Sequence, residues 1–296
     1  MQKWKKLVAG LFAGLAMAMP VTAQSADPTP LMLKTFNPGG DSLFPVSSTL
    51  VVGETEALLI DAQFQRNDAQ AVLNMIRESG VPLKTIYISH GDPDFYFGLD
   101  VITDAYPQAK VLASPATIDN IRKPLDKKVS YWGPILGENA PVRTMVPDML
   151  DGDTLKIDGA RLKVMWLDGH DPKHTYVWIP SLKTVAGGVP VYQGVHVWMA
   201  DSKTAAARQN WRKTLNDILA LHPSRIIPGH VIGQTAENAE AIRFTRDYID
   251  AFEEAAAKAK NSGDLIAAMK SRYPAFGNIG DLTLSAKVVM GEVKWP

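Results

Sequence analysis

The stretch that decides the fold runs from Thr85 to Gly98 and reads T-I-Y-I-S-H-G-D-P-D-F-Y-F-G. Its first four residues are β-branched or aromatic, which is typical of a buried strand. The strand is followed at once by a polar loop with one histidine and two aspartates, His90, Asp92 and Asp94. Open α/β sheets tend to bind ligands at the carboxyl ends of their strands. The stretch therefore predicts a sheet that carries a metal site or an acid–base site at its edge.

The segments on either side alternate between strand patterns and helix patterns. Ser47 to Val52 and Ala57 to Ile60 are apolar runs separated by G-E-T-E, which predicts a hairpin. Asn67 to Ser79 has apolar residues at helical spacing, and Lys110 to Ala113 is again strand-like. This alternation is typical of a layered α/β fold. Lys127 to Leu150 contains three prolines and predicts a long loop over the site.

Composition sets limits on the partners of the chain. It has 296 residues, 46% of them hydrophobic, with 31 basic and 31 acidic side chains. Balanced charge gives no reason to expect nucleic acid or an anionic membrane surface as a partner. A small-molecule substrate is the remaining expectation, and the oligomeric state is left open. Because no linker or repeat interrupts the chain, we predict one domain over residues 24–296.

Residues 1–23 have the pattern of a secretory signal peptide. Three lysines precede the apolar run from Leu7 to Met19, and V-T-A before Gln24 resembles a cleavage site. The run is shorter than the ~20 residues that a membrane-spanning helix needs, although an uncleaved anchor is the alternative. We therefore predict an exported protein, periplasmic in a Gram-negative host or otherwise secreted, that has no membrane contact after cleavage. Without the leader, 28 basic and 31 acidic residues remain.

The chain contains no cysteine. Export would permit disulfides, but none can form, and thiolate ligands and thiol nucleophiles are excluded as well. A transition metal in this protein would have to be held by histidine and carboxylate side chains.

The motif after the first strand resembles that of the metallo-β-lactamase-fold hydrolases, H-x-H-x-D-H. Here it reads H-G-D-P-D-F, so that the second histidine is Asp92 and the last is Phe95. The form also resembles a Vmh-type subfamily in which H-G-D-P-D-Y/F-Y-F-G is ordinary. The resemblance implies an αββα sandwich, with two mixed sheets packed between helices. It also implies that Asp61, at the end of L-I-D, supports the metal loop.

Three later segments extend the resemblance, which covers roughly residues 47–234. The family motif G-H-T-P-G-H matches G-H-D-P-K-H, so that His174 falls on a ligand position. The family's bridging aspartate is replaced by Val189 in G-G-V. The family motif P-G-H is intact and ends in His230.

The resemblance implies two unequal metal positions. The first would take His90, Asp92 and His174, and two imidazoles with one carboxylate are an accepted catalytic zinc set that also suits iron or manganese. The second keeps only Asp94 and His230. We therefore expect one zinc ion rather than two, and no true β-lactamase activity.

Two functions fit this ligand set. The first is a metal-dependent hydrolase of an ester, lactone or amide bond, in which Asp94 and His230 are the catalytic acid–base groups. The alternative is a catalytically impaired binding protein of the same fold in the periplasm, which the loss of two ligands favours. Four further side chains are candidates for the wall of a substrate pocket, Tyr96, Tyr192, His196 and Trp198, although a packed histidine is the other interpretation of His196.

Overall fold

The structure is a computed structural model that describes residues 30–166, 174–233 and 236–295. The predicted signal peptide and the segment G-H-D-P-K before His174 lie outside the described residues. Within the described ranges, no helix is both long enough and apolar enough to cross a membrane.

Two sheets lie at the centre of the fold. The first has its strands in chain order and is mixed, because its first two pairings are antiparallel and the next three are parallel. Its strands are β1 (Met32–Phe36), β2 (Ser48–Val52), β3 (Ala57–Ile60), β4 (Leu83–Ile88), β5 (Lys110–Ala113) and β6 (Asp148–Met149).

The second sheet has five strands, β7 (Thr154–Ile157), β8 (Ala160–Trp166), β9 (Thr175–Ile179), β10 (Thr184–Ala186) and β12 (Arg225–Ile226). Their order across the sheet is β12-β10-β9-β8-β7, and only the β10–β12 pairing is parallel. A separate parallel pair joins β11 (Tyr192–Gln193) to β13 (His230–Val231).

Helices cover the outer face of each sheet. The first group packs with β2 to β5 in one hydrophobic core, and it consists of α1 (Arg66–Arg77), α2 (Leu99–Ala105), α3 (Pro115–Arg122) and α4 (Leu125–Leu136). The second group packs with β9 and β10 in another core, and it consists of α5 (Ala205–Ala220), α6 (Ala239–Lys258), α7 (Ser262–Arg272) and α8 (Ile279–Val289).

A third core lies between the two sheets. Leu58 and Tyr87 of the first sheet pack there with Leu162 and Val177 of the second, and all four are buried. Each sheet therefore has one face against the other sheet and one face against helices. This arrangement confirms the predicted αββα sandwich.

The prediction of a loop over residues 127–150 is wrong for residues 127–136, which belong to helix α4. Leu125, Val129 and Trp132 lie on one side of this helix and pack against the first core, together with the buried Leu136. That spacing is helical, and it outweighs the single Pro134 inside the helix. Helix α4 brings Lys128 to Gly91 and Asp92, at the edge of the site.

Two glycines allow the loops at the site to approach closely. Gly188 follows β10 with a φ of +71°, and a Cβ there would lie 2.3 Å from the carbonyl oxygen of Thr175. A Cβ on Gly229 would lie 1.8 Å from the carbonyl oxygen of Gly188. Both obstructing atoms belong to the backbone, so a larger residue would move a loop and not merely a side chain.

We predict that Gly229→Ala lowers the free energy of unfolding by roughly 2 to 4 kcal/mol, because the added methyl group displaces the backbone at Gly188. Urea unfolding followed by circular dichroism measures the change. The matched control is Gly40→Ala, where φ is not positive and a Cβ would meet no atom within 4 Å, and its effect should stay within about 0.5 kcal/mol. Equal losses in the two variants would show that the close approach at Gly229 does not matter.

Candidate functional site

The loop after β4 is held in place through Ser89. The buried Asp61, which follows β3, accepts hydrogen bonds from the backbone N–H of Ser89 at 2.8 Å and from its hydroxyl at 2.7 Å. The Ser89 hydroxyl in turn accepts the N–H of Gly188 at 2.7 Å. Burial raises the pKa of Asp61 to about 7. The support of this loop by Asp61, which the resemblance implied, is therefore present.

Ser89 also links the two segments that carry His90 and His174. Its carbonyl oxygen accepts the N–H of Thr175 at 3.0 Å, which ties the end of β4 to the start of β9. His90 and His174 are the neighbours of these two bonded residues, and their rings stack with centroids 3.3 Å apart and planes 24° apart. Residues far apart in the sequence thus meet at the edge of the sheets, as the motifs predicted.

Each imidazole has a polar neighbour at one of its ring nitrogens. Nδ1 of His90 accepts the backbone N–H of Asp92 at 3.1 Å. Nε2 of His174 accepts the side-chain amide of Asn120, in α3, at 3.0 Å. Both rings are almost fully buried.

The carboxylate of Asp92 faces a protein cation. One of its oxygens lies 3.4 Å from Nζ of Lys128, and the other lies 3.8 Å from Nδ1 of His90. Lys128 also donates to the carbonyl oxygen of Gly91 at 2.6 Å. The Asp92 side chain is 40% exposed, so solvent reaches the site at this point.

The residues of the first metal position do not fit an ion as they are arranged. Two imidazoles on one tetrahedral zinc, with Zn–N bonds near ~2.1 Å, have ring centroids about 5 Å apart, whereas these rings stack at 3.3 Å. Nδ1 of His90 and Nε2 of His174 are already hydrogen-bond acceptors. Over the three described ranges, no three histidine, aspartate or glutamate side chains form a group that could hold a metal ion.

A second pair of predicted residues is in contact and deeply buried. Oδ2 of Asp94 lies 3.4 Å from Nε2 of His230, which begins β13. Burial raises the pKa of Asp94 well above its usual range, and the charge of Asp92 raises it further. Burial lowers the pKa of His230 to about 3. Burial therefore favours the uncharged form of each partner.

Two apolar side chains stand where the resemblance places metal ligands. The ring of Phe95 contacts the His90 ring at 4.7 Å and the His230 ring, edge to face, at 5.6 Å. Val189 packs against both helix-covered cores. The phenyl ring thus separates the stacked histidines from the Asp94–His230 pair.

Two of the four predicted pocket residues lie beside this pair. The Tyr192 ring stacks on the His230 ring at 5.2 Å. Tyr96 is 1% exposed, and its hydroxyl has no hydrogen-bond partner among the described residues. Burial raises the pKa of Tyr96, and the charges of Asp92 and Asp94 raise it further. Tyr96 therefore keeps its proton and can donate it in a hydrogen bond.

The other two predicted pocket residues lie in different surroundings. His196 is fully buried in the second helix-covered core, where its Nδ1 lies 3.0 Å from the hydroxyl of Tyr248. Trp198 donates its indole N–H to Asp201 at 2.6 Å and contacts Trp295. No described hydrogen bond or ring contact joins either residue to His230, so their pocket role stays a prediction.

Asp281, near the start of α8, is a site residue that the sequence reasoning missed. It is 8% exposed, and burial raises its pKa to about 7. Its charge is close enough to raise the pKa of Asp94 and that of Tyr192. The residue lies beyond the segment covered by the family motifs, and no local pattern distinguished it from an ordinary helix-start aspartate.

The sequence matches the family model of the metallo-beta-lactamase superfamily over residues 41–230. It is also 35% identical, over 73 residues, to the uncharacterized protein YobT of Bacillus subtilis (strain 168). That match covers 25% of this chain and 31% of YobT.

Solved structures share the fold at low sequence identity. The metallo-beta-lactamase family protein TTHA1429 from Thermus thermophilus superimposes with a TM-score of 0.60 and 20% identity, over 89% of this chain and 93% of that one. A metallo-beta-lactamase from Pontibacter korlensis gives 0.54 and 18%, over 76% and 97% of the two chains. The DIM-1 metallo-beta-lactamase gives 0.52 and 19%, over 75% and 93%.

We predict that Asp281→Asn becomes more stable relative to the wild type as pH rises. The folded pKa of about 7 lies above the usual aspartate value of 3.8, so the wild type loses stability between about pH 4 and pH 7, whereas asparagine does not titrate. The difference should reach at most roughly 4 kcal/mol by pH 8. Urea unfolding at several pH values measures it, with the exposed Asp264→Asn as the control, and a difference that does not vary with pH would contradict the burial argument.

Proposed function

Because the chain belongs to the metallo-beta-lactamase superfamily, we propose that it is a hydrolase that cleaves an ester, lactone or amide bond in a small molecule. The fold is that of metal-dependent hydrolases, and it generally binds divalent metals, usually zinc. We propose the reaction class, the type of substrate and the roles of the individual residues below.

The observation that carries the proposal is the buried contact between Asp94 and His230. A carboxyl whose pKa is raised by burial is, when ionised, a stronger base than an ordinary aspartate, and in its acid form it is still able to give a proton. The imidazole of His230 lies 3.4 Å from that carboxyl and limits the directions in which it can turn. Perturbed acid–base pairs of this kind are concentrated at active sites.

The reaction needs two proton transfers, and we assign both to Asp94. In its ionised form, Asp94 takes a proton from the attacking water as the oxygen of that water bonds to the acyl carbon. It then gives this proton to the leaving alcohol or amine as the acyl bond breaks, so that one water is consumed and Asp94 returns to its starting form.

Charge that develops on the acyl oxygen needs a donor. The Tyr96 hydroxyl is buried, protonated and without a partner among the described residues. Donation from a fixed hydroxyl to an oxyanion in a site that excludes water is a common source of transition-state stabilisation. We assign Tyr96 to this role and Tyr192 to the wall behind His230.

The predicted cofactor, one zinc ion with iron or manganese as alternatives, is not used in this mechanism. His90, Asp92 and His174 as placed do not fit an ion, so no step is derived through a metal. Ligand roles for Asp94 and His230 likewise stay predictions.

The binding-protein alternative has an observation in its favour. Phe95 fills the space between His90 and His230, and Val189 stands where the resemblance places the bridging acid. A site filled in this way could bind a small molecule without turning it over. Export to the periplasm or the medium is proposed for either function, on the pattern of residues 1–23 alone.

We predict that Asp94→Asn lowers kcat/KM for aryl esters or lactones by about 10² to 10⁴-fold, because the amide can neither take nor give the proton. The measurement is steady-state hydrolysis of a panel of both substrate classes by the full chain. Asp104→Asn is the matched control, since Asp104 is an exposed helical aspartate, and it should keep full activity.

Two results would contradict the proposed hydrolase. One is a wild type that binds members of the panel but hydrolyses none of them, which is the outcome for a binding protein. The other is an Asp94→Asn variant that is folded and as active as the Asp104→Asn variant.

A further inference from the structure

The ammonium group of Lys128 makes three contacts around the first metal position. It lies 2.6 Å from the carbonyl oxygen of Gly91, 3.4 Å from Oδ1 of Asp92 and 3.5 Å from the carbonyl oxygen of Asn120. An ammonium has three N–H donors, and here three oxygen atoms are available as their acceptors. Lys128 is 17% exposed, so these contacts are largely shielded from water.

These contacts join separate parts of the chain. Gly91 and Asp92 belong to the loop after β4, Asn120 belongs to α3, and Lys128 belongs to α4. The side chain of Asn120 extends the connection, because its amide donates to Nε2 of His174 before β9. Lys128 and Asn120 together therefore cross-link the loops that bear His90, Asp92 and His174.

The backbone leaves room for this arrangement at Gly91. A Cβ at that position would lie 2.4 Å from the amide nitrogen of Asn120 and 2.8 Å from its Cβ. Any side chain at residue 91 would push Asn120 away from His174. The absence of a side chain at residue 91 is thus part of the same arrangement.

Charge in the site is consistent with a resident ammonium. Asp92 carries the carboxylate that would bind an ion at this position, and its partner is Lys128. A divalent ion placed between Asp92 and the imidazoles would lie beside that ammonium, and two positive charges so placed repel each other.

We propose that Lys128 and Asn120 take the place of a metal ion at the first position and keep zinc out of it. The ammonium neutralises Asp92, and the amide occupies the His174 nitrogen that would otherwise be a ligand. The proposed role of Lys128 and Asn120 rests on the proposed function and deepens it, because it explains what holds the residues beside Asp94 and His230 in place. It is tested by measuring zinc content, which requires no substrate.

The experiment starts from the purified full chain, stripped with a chelator and dialysed against micromolar zinc chloride. Zinc per chain is measured by inductively coupled plasma mass spectrometry, and the melting temperature is recorded with zinc and with chelator. We expect the wild type to hold well under one equivalent of zinc and to melt at the same temperature in both buffers.

The variants Lys128→Met and Asn120→Ala each remove one of the two contacts. Because Lys128→Met frees Asp92 and Asn120→Ala frees His174, we expect zinc content to rise towards one equivalent, most of all in the double variant. Bound zinc should also raise the melting temperature of these variants, since a ligand of the native state stabilises it. Lys127→Met is the matched control, an exposed lysine on the same helix, and it should match the wild type.

Stoichiometric zinc in the wild type, with a melting temperature that zinc raises, would overturn the proposal even if every variant failed to fold. Folded variants that gain no zinc would overturn the assignment to Lys128 and Asn120. Turnover plays no part in either outcome, so a failure here is distinct from a failure of the hydrolase proposal.

Discussion

The site depends on the hydrogen bonds that converge on Ser89. Asp61 holds the N–H and hydroxyl of this residue, Gly188 donates to the hydroxyl, and Thr175 donates to the carbonyl. Four strands of two sheets are thereby fixed at one buried point. His90 follows Ser89 and His174 precedes Thr175, so the two histidines are brought together where the sheets are joined. Since every one of these groups is buried, losing one partner would leave another polar group unsatisfied.

Around that point the residues form two separate groups. His90, His174 and Asp92 lie on one side of Phe95, with Asn120 and Lys128 as their polar partners. Asp94, His230 and the two tyrosines lie on the other side, where burial raises the pKa of the acid and lowers that of the imidazole. In a site that a shared ion connects, the ion's charge would govern both groups. Here the phenyl ring lies between the two groups, and the acid–base chemistry that we propose belongs to the second group alone.

The sequence was sufficient for the sandwich and for the positions of the ligand-like residues. Apolar runs predicted β2 and β3, and helical spacing predicted α1, each within one or two residues. The loss of ligands at Phe95 and Val189 was visible in the motifs. Lys128 and Asn120 could not be found in this way, because their roles depend on where α3 and α4 lie against the loop at Gly91, which is 37 residues from Lys128 in sequence. Asp281 could not be found either, because its effect on Asp94 and Tyr192 depends on where α8 lies in the fold. In the segment from Lys127 to Leu150, the helical spacing of the apolar residues outweighs the prolines over the range of α4.

We propose that a protein ammonium and an amide hold the residues of the first metal position in place of an ion. A crystal structure determined from zinc-soaked crystals, with diffraction data on both sides of the zinc absorption edge, tests this directly. We expect no anomalous density among residues 90, 92 and 174, the His90 and His174 rings still stacked, and Nζ of Lys128 within hydrogen-bonding distance of the Gly91 carbonyl oxygen. An anomalous peak bound by both imidazoles, with their rings rotated apart and Lys128 displaced, would contradict the account.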